Sequence, residues 1–306
     1  MSKPNFFILG APKCGTTSLA AWLAEHPQIY LSPEKEPHFF NTDHKRFLNL
    51  LESYEQLFAG ATRQHVAVGE ASVWYLYSAE AVPNILAYNQ RAKFIVMLRN
   101  PVDMAPSLHE ELVFTGRENK ADFAEAWRLQ DARRQGHSLP RMVWEPKYVQ
   151  YGELCKLGHQ VARLFELVPR EQVKLILLED VARDPGAVYR SVLEFLEVPD
   201  DGRINFPVHN QAKTRRWPWL LPIAWAITSL KRTLGIDGGL GIWTRVDGQN
   251  RIERPRAAVS LELRAELSAY FDSDIELLQR LIGRDLSHWR ASAPQRISGK
   301  FAAISA

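Results

Sequence analysis

The stretch FFILGAPKCGTTSLAAWLAE, residues 6–25, decides the fold, because it passes from an apolar run through a glycine loop into helical spacing. The apolar residues 6–9 end at Gly10 and are typical of a short buried strand. Apolar side chains then recur at helical spacing over residues 16–25, which predicts a helix. At such a junction, backbone N–H groups and the positive end of the helix dipole attract phosphate. We therefore predict an anion-binding loop at residues 10–16.

The lysine of this loop has an unusual position. Gly10 and Gly15 have the spacing of the ATP-binding loop G-x-x-x-x-G-K-[ST], but Thr16 stands where that loop requires lysine. The loop's own lysine, Lys13, precedes the second glycine instead. There it is placed to neutralise a 5′-phosphate and the oxygen that joins it to a departing or arriving group. This position argues against an ATPase, and the alternative is a plain glycine turn in which the lysine has no ligand.

The rest of the chain alternates between short apolar runs and longer helical patterns. Further strands are predicted at residues 28–31, 66–68, 94–98 and 173–178. Helices are predicted at residues 78–88, 102–114, 122–134, 149–168, 184–196 and around 257–282. Continuous apolar strands favour an α/β, P-loop-type three-layer fold with a central, mostly parallel sheet flanked by helices. Ligands of such sheets gather at the carboxyl ends of the strands.

The domain organisation follows from changes in composition. We expect a single domain over residues 1–290 and a frayed tail at 291–306. A C-terminal helical subregion is predicted at 205–290, with a possible lid at 213–245. An apolar segment from Trp217 to Leu230 is shorter than the roughly 20 residues that span a bilayer and contains two prolines. It is interpreted as core, as a lid over a bound apolar ligand, or as a peripheral membrane contact.

Composition limits the partners and cofactors. The 306 residues include 38 Lys and Arg against 35 Asp and Glu, so no extended polyanion surface and no nucleic-acid partner are expected. The two cysteines, Cys14 and Cys155, cannot build a disulfide framework and have no metal-ligand spacing, so no metal is predicted. The N-terminal residues show no signal-peptide pattern, and we expect a cytoplasmic protein. The oligomeric state stays open.

A second phosphate site is predicted after the strand at 94–98. Arg99 follows that strand, and Asn100 and Pro101 begin a helix in which Ser107 falls in the second turn. A guanidinium that donates two N–H groups and a nearby hydroxyl suit a terminal phosphate monoester. The alternatives are an ordinary salt bridge for Arg99 and a surface position for Ser107.

A candidate general base precedes Pro37. Proline favours an extended backbone at Glu36, which would project the carboxylate into a cleft. His38, two residues further on, would then face the same side and could orient an acceptor or substitute as base. The alternatives are an exposed loop carboxylate and a structural histidine.

These motifs together resemble one family. Residues 13–19, KCGTTSL, are similar to the 5′-phosphosulfate loop of sulfotransferases that use 3′-phosphoadenosine 5′-phosphosulfate (PAPS), in the branch of the heparan-sulfate-type enzymes and their bacterial relatives. Residues 34–40, EKEPHFF, resemble the segment with that branch's catalytic base. Residues 94–101 with Ser107 resemble its 3′-phosphate site. Similar landmarks run from about residue 5 to 289.

The resemblance implies an enzyme that transfers a sulfonyl group from PAPS by in-line displacement. The acceptor would be a hydroxyl, less often an amine, of a carbohydrate, glycolipid or other small molecule. Glu36 would be the base, His38 would assist it, and Lys13 would stabilise the leaving phosphate. The implied donor-binding residues are Lys13, Cys14, Gly15, Thr16, Thr17, Ser18, Arg99, Ser107, Lys213 and Arg215. The last two belong to a basic stretch similar to a family loop that closes over the donor.

Two departures from the heparan-type pattern limit which acceptors are expected. Asn41 stands where heparan-type enzymes have aspartate, and Ala71 stands where they have lysine. Heparan sulfate itself is therefore not the expected acceptor. The alternative functions are a P-loop small-molecule kinase that uses ATP and magnesium, and a non-catalytic nucleotide-binding or membrane-docked scaffold.

Overall fold

The structure is a computed structural model that describes residues 3–44, 46, 48–209 and 259–290, together with the backbone of residues 213–215 and 251–253. The apolar segment from Trp217 to Leu230, most of the predicted lid and the tail at 291–306 lie outside the described residues. Among the helices described, none is long and apolar enough to cross a membrane.

A sheet of five strands forms the centre of the molecule: β1 (Phe6–Gly10), β2 (Ile29–Leu31), β3 (Ala67–Ala71), β4 (Lys93–Leu98) and β5 (Val173–Leu177). They lie in the order β2-β3-β1-β4-β5. All four neighbouring pairs are parallel, which confirms the predicted α/β class. Strand β1 is buried along its whole length, as expected of a central strand covered on both faces.

Helices flank this sheet, as the sequence predicts. They are α1 (Thr16–Ala24), α2 (Leu51–Gln56), α3 (Ala81–Tyr88), α4 (Pro101–Phe114), α5 (Phe123–Arg128), α6 (Gln130–Arg134), α7 (Tyr151–Leu154), α8 (Leu157–Leu167), α9 (Leu178–Arg183), α10 (Pro185–Leu196) and α11 (Leu261–Ile282). Short 3₁₀ helices lie at Pro146–Val149, Arg170–Gln172 and Ser287–Arg290. A small antiparallel ribbon pairs β6 (Lys213–Arg215) with β7 (Arg251–Glu253).

The predicted helix at 149–168 is wrong, because the chain breaks it into a 3₁₀ turn, α7 and α8. The break has a cause in another element. The carboxylate of Asp274 on α11 accepts the amides of Gly158 and His159 at 2.8 and 3.0 Å, so a new helix is capped from outside. A side chain at Gly158 would meet the Asp274 carbonyl at 2.3 Å, so the glycine is also required for this close approach.

Other boundaries also differ from prediction. The helix at 122–134 divides into α5 and α6 at Leu129, whose φ of −84° and ψ of −2° tighten the turn. Strand β3 runs to Ala71. The prediction ended at Val68 because a glycine and a glutamate interrupt the apolar pattern after that residue. Helix α11 begins at Leu261, where the Ser260 hydroxyl accepts the amide of Leu263 at 3.2 Å. Helices α2 and α9 were not predicted.

The parallel topology positions the candidate site. The carboxyl ends of β1, β3 and β4 meet at one edge of the sheet, because these three strands are neighbours. The chain leaves them at residues 11, 72 and 99. The predicted anion loop, the segment after β3 and Arg99 therefore converge at one place.

Candidate active site

The anion loop at residues 10–16 has a shape that only glycine permits at its two ends. Gly10 has φ of 136°, and a side chain there would meet the Val73 carbonyl oxygen at 2.5 Å. Gly15 has φ of 90° and directly precedes α1. Both conformations are strained for other residues. The loop therefore passes close to the segment after β3 and ends at the helix N-terminus, which is the predicted arrangement.

Lys13 lies on the arch of the loop, as predicted. Its ammonium Nζ is 3.0 Å from Glu111 Oε2 on α4. Its carbonyl oxygen accepts a hydrogen bond from Nη1 of Arg99 at 3.2 Å, which ties the loop to the end of β4. The lysine cation is thus held at the cleft by a neighbouring carboxylate.

Arg99 and Ser107 are almost fully buried, at 4% and 1% exposure. Among the described residues, neither Nη2 of Arg99 nor Oγ of Ser107 has a hydrogen-bond partner. A buried polar group without a partner costs about 1–3 kcal/mol. Burial lowers the pKa of Arg99, yet a guanidinium stays protonated in proteins. Arg99 thus keeps a charged N–H donor and Ser107 a hydroxyl without a partner in the described structure, and a phosphate accepts hydrogen bonds from both kinds of group.

Asn100 fixes this second site in the fold. Its side-chain oxygen accepts the amide of Val102 at 3.0 Å and caps α4. Its side-chain nitrogen donates to the carbonyl of Trp289 at 3.1 Å. The C-terminal part of the described chain therefore supports the start of the helix that carries Ser107.

The cysteine of the loop does not face a ligand. Cys14 is fully buried, and its Sγ lies 3.9 Å from Sδ of Met104. Burial raises the pKa of its thiol to about 12, so the thiol is neutral and packs as a small apolar group. Of Cys14, only the backbone remains to take part in donor binding.

The hydroxyls at the start of α1 connect to other segments. Thr16 and Ser18 are buried. Ser18 Oγ accepts the amide of His209 at 3.0 Å, so the chain at 209 lies against α1. Thr17 Oγ1 accepts from Nζ of Lys35 at 2.8 Å. The loop is thus joined to two segments that are distant in sequence.

The basic stretch after His209 continues into β6. Lys213 and Arg215 lie on that strand, which pairs with β7. Their side chains lie outside the described residues. Their contact with a donor therefore stays a prediction.

Glu36 and His38 do meet, but not through the predicted extended backbone. The φ angles are 59° at Glu36 and 50° at His38, so both residues are left-handed rather than extended. His38 Nε2 lies 3.2 Å from Glu36 Oε2, and Nζ of Lys35 lies 3.6 Å from Glu36 Oε1. The two side chains lie together, as expected of residues that face the same side, but the predicted extended backbone is wrong, and the roles of both residues stay predictions.

The surroundings of Glu36 keep it ionised. Burial alone would raise the pKa of its carboxyl, but the hydrogen bond and charge of His38, together with Lys35, outweigh burial and hold that pKa below its ordinary value. A carboxylate in this state can accept a proton at neutral pH.

The cleft between Lys13 and Glu36 contains residues that the sequence did not single out. Trp74, Glu111 and Arg117 line it. The Trp74 ring stacks on Tyr148 with centroids 3.9 Å apart and an interplanar angle of 11°. Glu111 was in principle detectable, because it lies one helical turn after Ser107. Trp74 and Arg117 follow element ends without a pattern that marks them.

No group of three or more His, Cys, Asp or Glu side chains that could hold a metal occurs within the described part of the chain.

Comparisons with known proteins agree on one family. The model of the sulfotransferase domain matches residues 3–212. The crystal structure of a sulfotransferase from Alicyclobacillus acidocaldarius is 33% identical, covers 95% of this chain and 100% of that chain, and superposes with a TM-score of 0.72.

Curated relatives match over shorter stretches. Carbohydrate sulfotransferase 15 of Homo sapiens is 27% identical over 64% of this chain and 44% of its own length. The membrane-associated sulfotransferase kil1 of Dictyostelium discoideum is 32% identical over 39% of this chain and 25% of its own length. The chain thus spans less than half the length of these two relatives. Because the domain match covers more than half of the chain and includes the loop, Glu36 and Arg99, the chain belongs to the sulfotransferase family.

Proposed function

We propose that this protein transfers a sulfonyl group from PAPS to a hydroxyl group of an acceptor. The observation that carries the proposal is the pair of buried polar atoms on Arg99 and Ser107 that have no partner within the described part of the chain, together with a glycine loop whose lysine is Lys13. A donor with phosphates at both its 3′ and 5′ positions would use both places. ATP, which has no 3′-phosphate, would leave the Arg99 donor unpaired.

The donor's two ends would be held by different chemistry. The 5′-phosphosulfate would lie in the loop at residues 10–16, against backbone N–H groups and the Lys13 cation. The 3′-phosphate would accept from Arg99 and Ser107, which are charged and hydroxyl donors respectively. This division supports PAPS over a nucleoside triphosphate.

The transfer step would proceed in line at sulfur. Glu36 accepts the proton of the acceptor hydroxyl, and the acceptor oxygen forms a bond to sulfur. The bond between sulfur and the bridging oxygen breaks, and its electron pair remains on the 5′-phosphate. Lys13 stabilises the charge that develops on that oxygen, which is a preorganised electrostatic contribution. His38 holds the Glu36 carboxylate at 3.2 Å and orients it.

The acceptor is proposed to be a carbohydrate or a small molecule that carries a hydroxyl. Two relatives support this class by name: carbohydrate sulfotransferase 15 of Homo sapiens and heparan sulfate glucosamine 3-O-sulfotransferase 3B1 of Mus musculus. Trp74 lines the cleft, and aromatic side chains suit the apolar face of a sugar ring. Asn41 and Ala71 replace two residues of the heparan-type pattern, so a different acceptor from heparan sulfate is proposed.

A cytoplasmic location and a peripheral membrane contact through the segment from Trp217 to Leu230 stay predictions from the sequence. The small-molecule kinase gains no support from the matched family.

Thermal unfolding with two nucleotides tests the donor. At a concentration of 100 times its Kd, a ligand stabilises the folded state by about 2.7 kcal/mol. We expect 3′-phosphoadenosine 5′-phosphate (PAP), the product of transfer, to raise the Tm, and ATP with magnesium to raise it far less. Stabilisation by ATP with magnesium and not by PAP would reverse the proposal in favour of the kinase.

Labelled sulfonate from PAPS tests the reaction itself. Sugars and glycolipids would be tried as acceptors before phenols and simple alcohols. We expect label to appear on at least one hydroxyl acceptor. PAP binding without transfer to any acceptor would indicate a nucleotide-binding protein and refute the proposed sulfonyl transfer.

A further inference from the structure

A carboxylate with no direct use in the transfer step lies beneath the Glu36 segment. Glu70 is the fourth residue of β3 and is completely buried. Three hydroxyls donate to it: Ser72 Oγ to Oε2 at 2.6 Å, and Tyr54 and Tyr75 to Oε1 at 3.0 and 2.9 Å. Burial raises the pKa of its carboxyl, and the three hydroxyl donors act in the opposite direction. A completely buried carboxylate is unusual in an apolar core, and this one lies next to the segment of the candidate base.

Two of these hydroxyls continue to the segment of the candidate base. Ser72 Oγ accepts the amide of His38 at 3.1 Å. The Tyr75 hydroxyl accepts the amides of Phe39 and Phe40 at 2.9 and 3.2 Å. The amide of Glu36 donates to the Ala71 carbonyl at 3.2 Å. Since Pro37 has no N–H, every backbone N–H from residue 36 to 40 is bonded to the segment that follows Glu70.

The direction of these hydrogen bonds depends on Glu70. An ionised carboxylate only accepts, and a hydroxyl has a single proton to donate. Ser72 and Tyr75 give that proton to Glu70, so their oxygen lone pairs face the amides of residues 38–40. A group that also donates, placed at position 70, would turn one of these protons towards an amide N–H and break the chain of bonds.

The segment needs such support because its backbone is strained. Glu36 and His38 both have left-handed φ angles, at 59° and 50°, which residues with a side chain rarely adopt. Conformations of this kind persist only where the surrounding structure fixes them. The contact of 3.2 Å between Glu36 and His38 depends on this backbone.

We propose that Glu70 is a positioning residue, which holds Glu36 and His38 in their reactive geometry through the hydroxyls of Ser72 and Tyr75. The inference rests on the proposed role of Glu36 as general base. Glu70 itself touches neither donor nor acceptor, and it acts by fixing which way two hydroxyl protons point.

The chain offers a matched control. The hydroxyls of Tyr54 and Tyr75 donate to the same oxygen of Glu70, and both residues are fully buried. Only the Tyr75 hydroxyl continues to the amides of Phe39 and Phe40. Tyr54→Phe and Tyr75→Phe each remove one phenol oxygen and keep the ring, so they separate a general loss of hydrogen bonding from a loss of positioning.

Turnover gives the first test. A misplacement of about 1 Å at a reacting group costs roughly 10²-fold in rate. We expect Tyr75→Phe to lower kcat by about 10- to 10²-fold with PAP affinity unchanged, and Tyr54→Phe to keep kcat within about twofold. Glu70→Gln, which introduces an N–H₂ donor, should resemble Tyr75→Phe. Equal losses of kcat in Tyr54→Phe and Tyr75→Phe would overturn the proposal.

Amide hydrogen exchange gives a second test that needs no activity. The amides of Phe39 and Phe40 should exchange at least about 10-fold faster in Tyr75→Phe than in the wild type or in Tyr54→Phe, because they lose their acceptor. Unchanged exchange in Tyr75→Phe would refute the positioning role. If the wild type transferred no sulfonyl group, the proposed function would fail, while this exchange comparison would still decide whether Glu70 and Tyr75 hold the segment.

Discussion

The two ends of the site differ in how their polar groups are satisfied. At the donor end, Arg99 and Ser107 are buried, and each has a polar atom without a partner among the described residues. At the base end, the backbone N–H groups of residues 36 and 38–40 are all bonded, and the Glu36 carboxylate lies beside His38 and Lys35, while Nδ1 of His38 has no partner among the described residues. In the proposed function a ligand would complete the side chains of the donor end, whereas the protein itself bonds the backbone of the base end.

This difference has a physical reason. The product nucleotide must leave and a new donor must bind in every turnover. The polar groups of the donor site are therefore expected to find their hydrogen-bond partners in the phosphate oxygens of the nucleotide. A general base must instead hold one geometry throughout, so its segment has to be stiff. Changes at the donor end should alter affinity and leave the free protein stable, while changes at the base end should alter turnover or stability.

The largest expected effect is at the base end. Glu36→Gln keeps the shape of the side chain and removes the proton acceptor, so turnover should fall by about 10²- to 10⁴-fold. Calorimetry should give the same PAP affinity as in the wild type, since Glu36 does not face the 3′-phosphate site. Near-normal turnover in this variant would remove Glu36 from its proposed role.

The donor end should respond through affinity. Arg99→Ala removes charged hydrogen bonds worth about 3 kcal/mol together, so PAP should bind roughly 10²-fold more weakly. Adenosine 5′-phosphate, which lacks the 3′-phosphate, is the control ligand and should bind the variant almost as it binds the wild type. An equal loss for both nucleotides would place Arg99 elsewhere in the mechanism.

Two buried serines, one at each end, give a matched pair. Ser107→Ala should weaken PAP about 10-fold and leave the free energy of unfolding of the free protein unchanged or raised by up to about 1–3 kcal/mol, because its buried hydroxyl has no partner to lose among the described residues. Ser72→Ala should cost about 1–3 kcal/mol of that free energy, because its hydroxyl bonds both Glu70 and His38. Urea unfolding measures the free energy of unfolding of both variants, and calorimetry measures their affinity for PAP. A larger loss in Ser107→Ala than in Ser72→Ala would contradict the distinction between the two ends.

The smallest effect concerns the carboxylate that holds the loop lysine. Glu111 lies 3.0 Å from Lys13 in a partly exposed pair, and such pairs contribute about 0.2–1 kcal/mol. Glu111→Gln should release the Lys13 cation for the 5′-phosphate and tighten PAP binding by about two- to fivefold. Weaker PAP binding in this variant would show that Glu111 helps to place the lysine.

The sequence predicted the donor end better than the base end. The loop at 10–16 and Arg99 follow apolar strands, and strand ends in a parallel sheet meet at one edge, so local patterns sufficed. Ser107 was predicted from its place in the second turn of the helix after Arg99 together with the family resemblance.

The base end depends on contacts between distant residues. The left-handed backbone at Glu36 and His38 is imposed by Ser72 and Tyr75, some 35 residues away. Glu70 escaped notice because it interrupts the apolar pattern of β3, which made the strand appear to end at Val68. The break before α8 was hidden for a similar reason, since its cap, Asp274, comes from another helix.

A crystal structure of the complex with PAP tests the central claim most directly. The account predicts the 3′-phosphate within hydrogen-bond distance of Nη2 of Arg99 and Oγ of Ser107, and the 5′-phosphate in the loop at residues 10–16 beside Lys13. A nucleotide bound elsewhere, or bound with its 3′-phosphate in the loop, would contradict it.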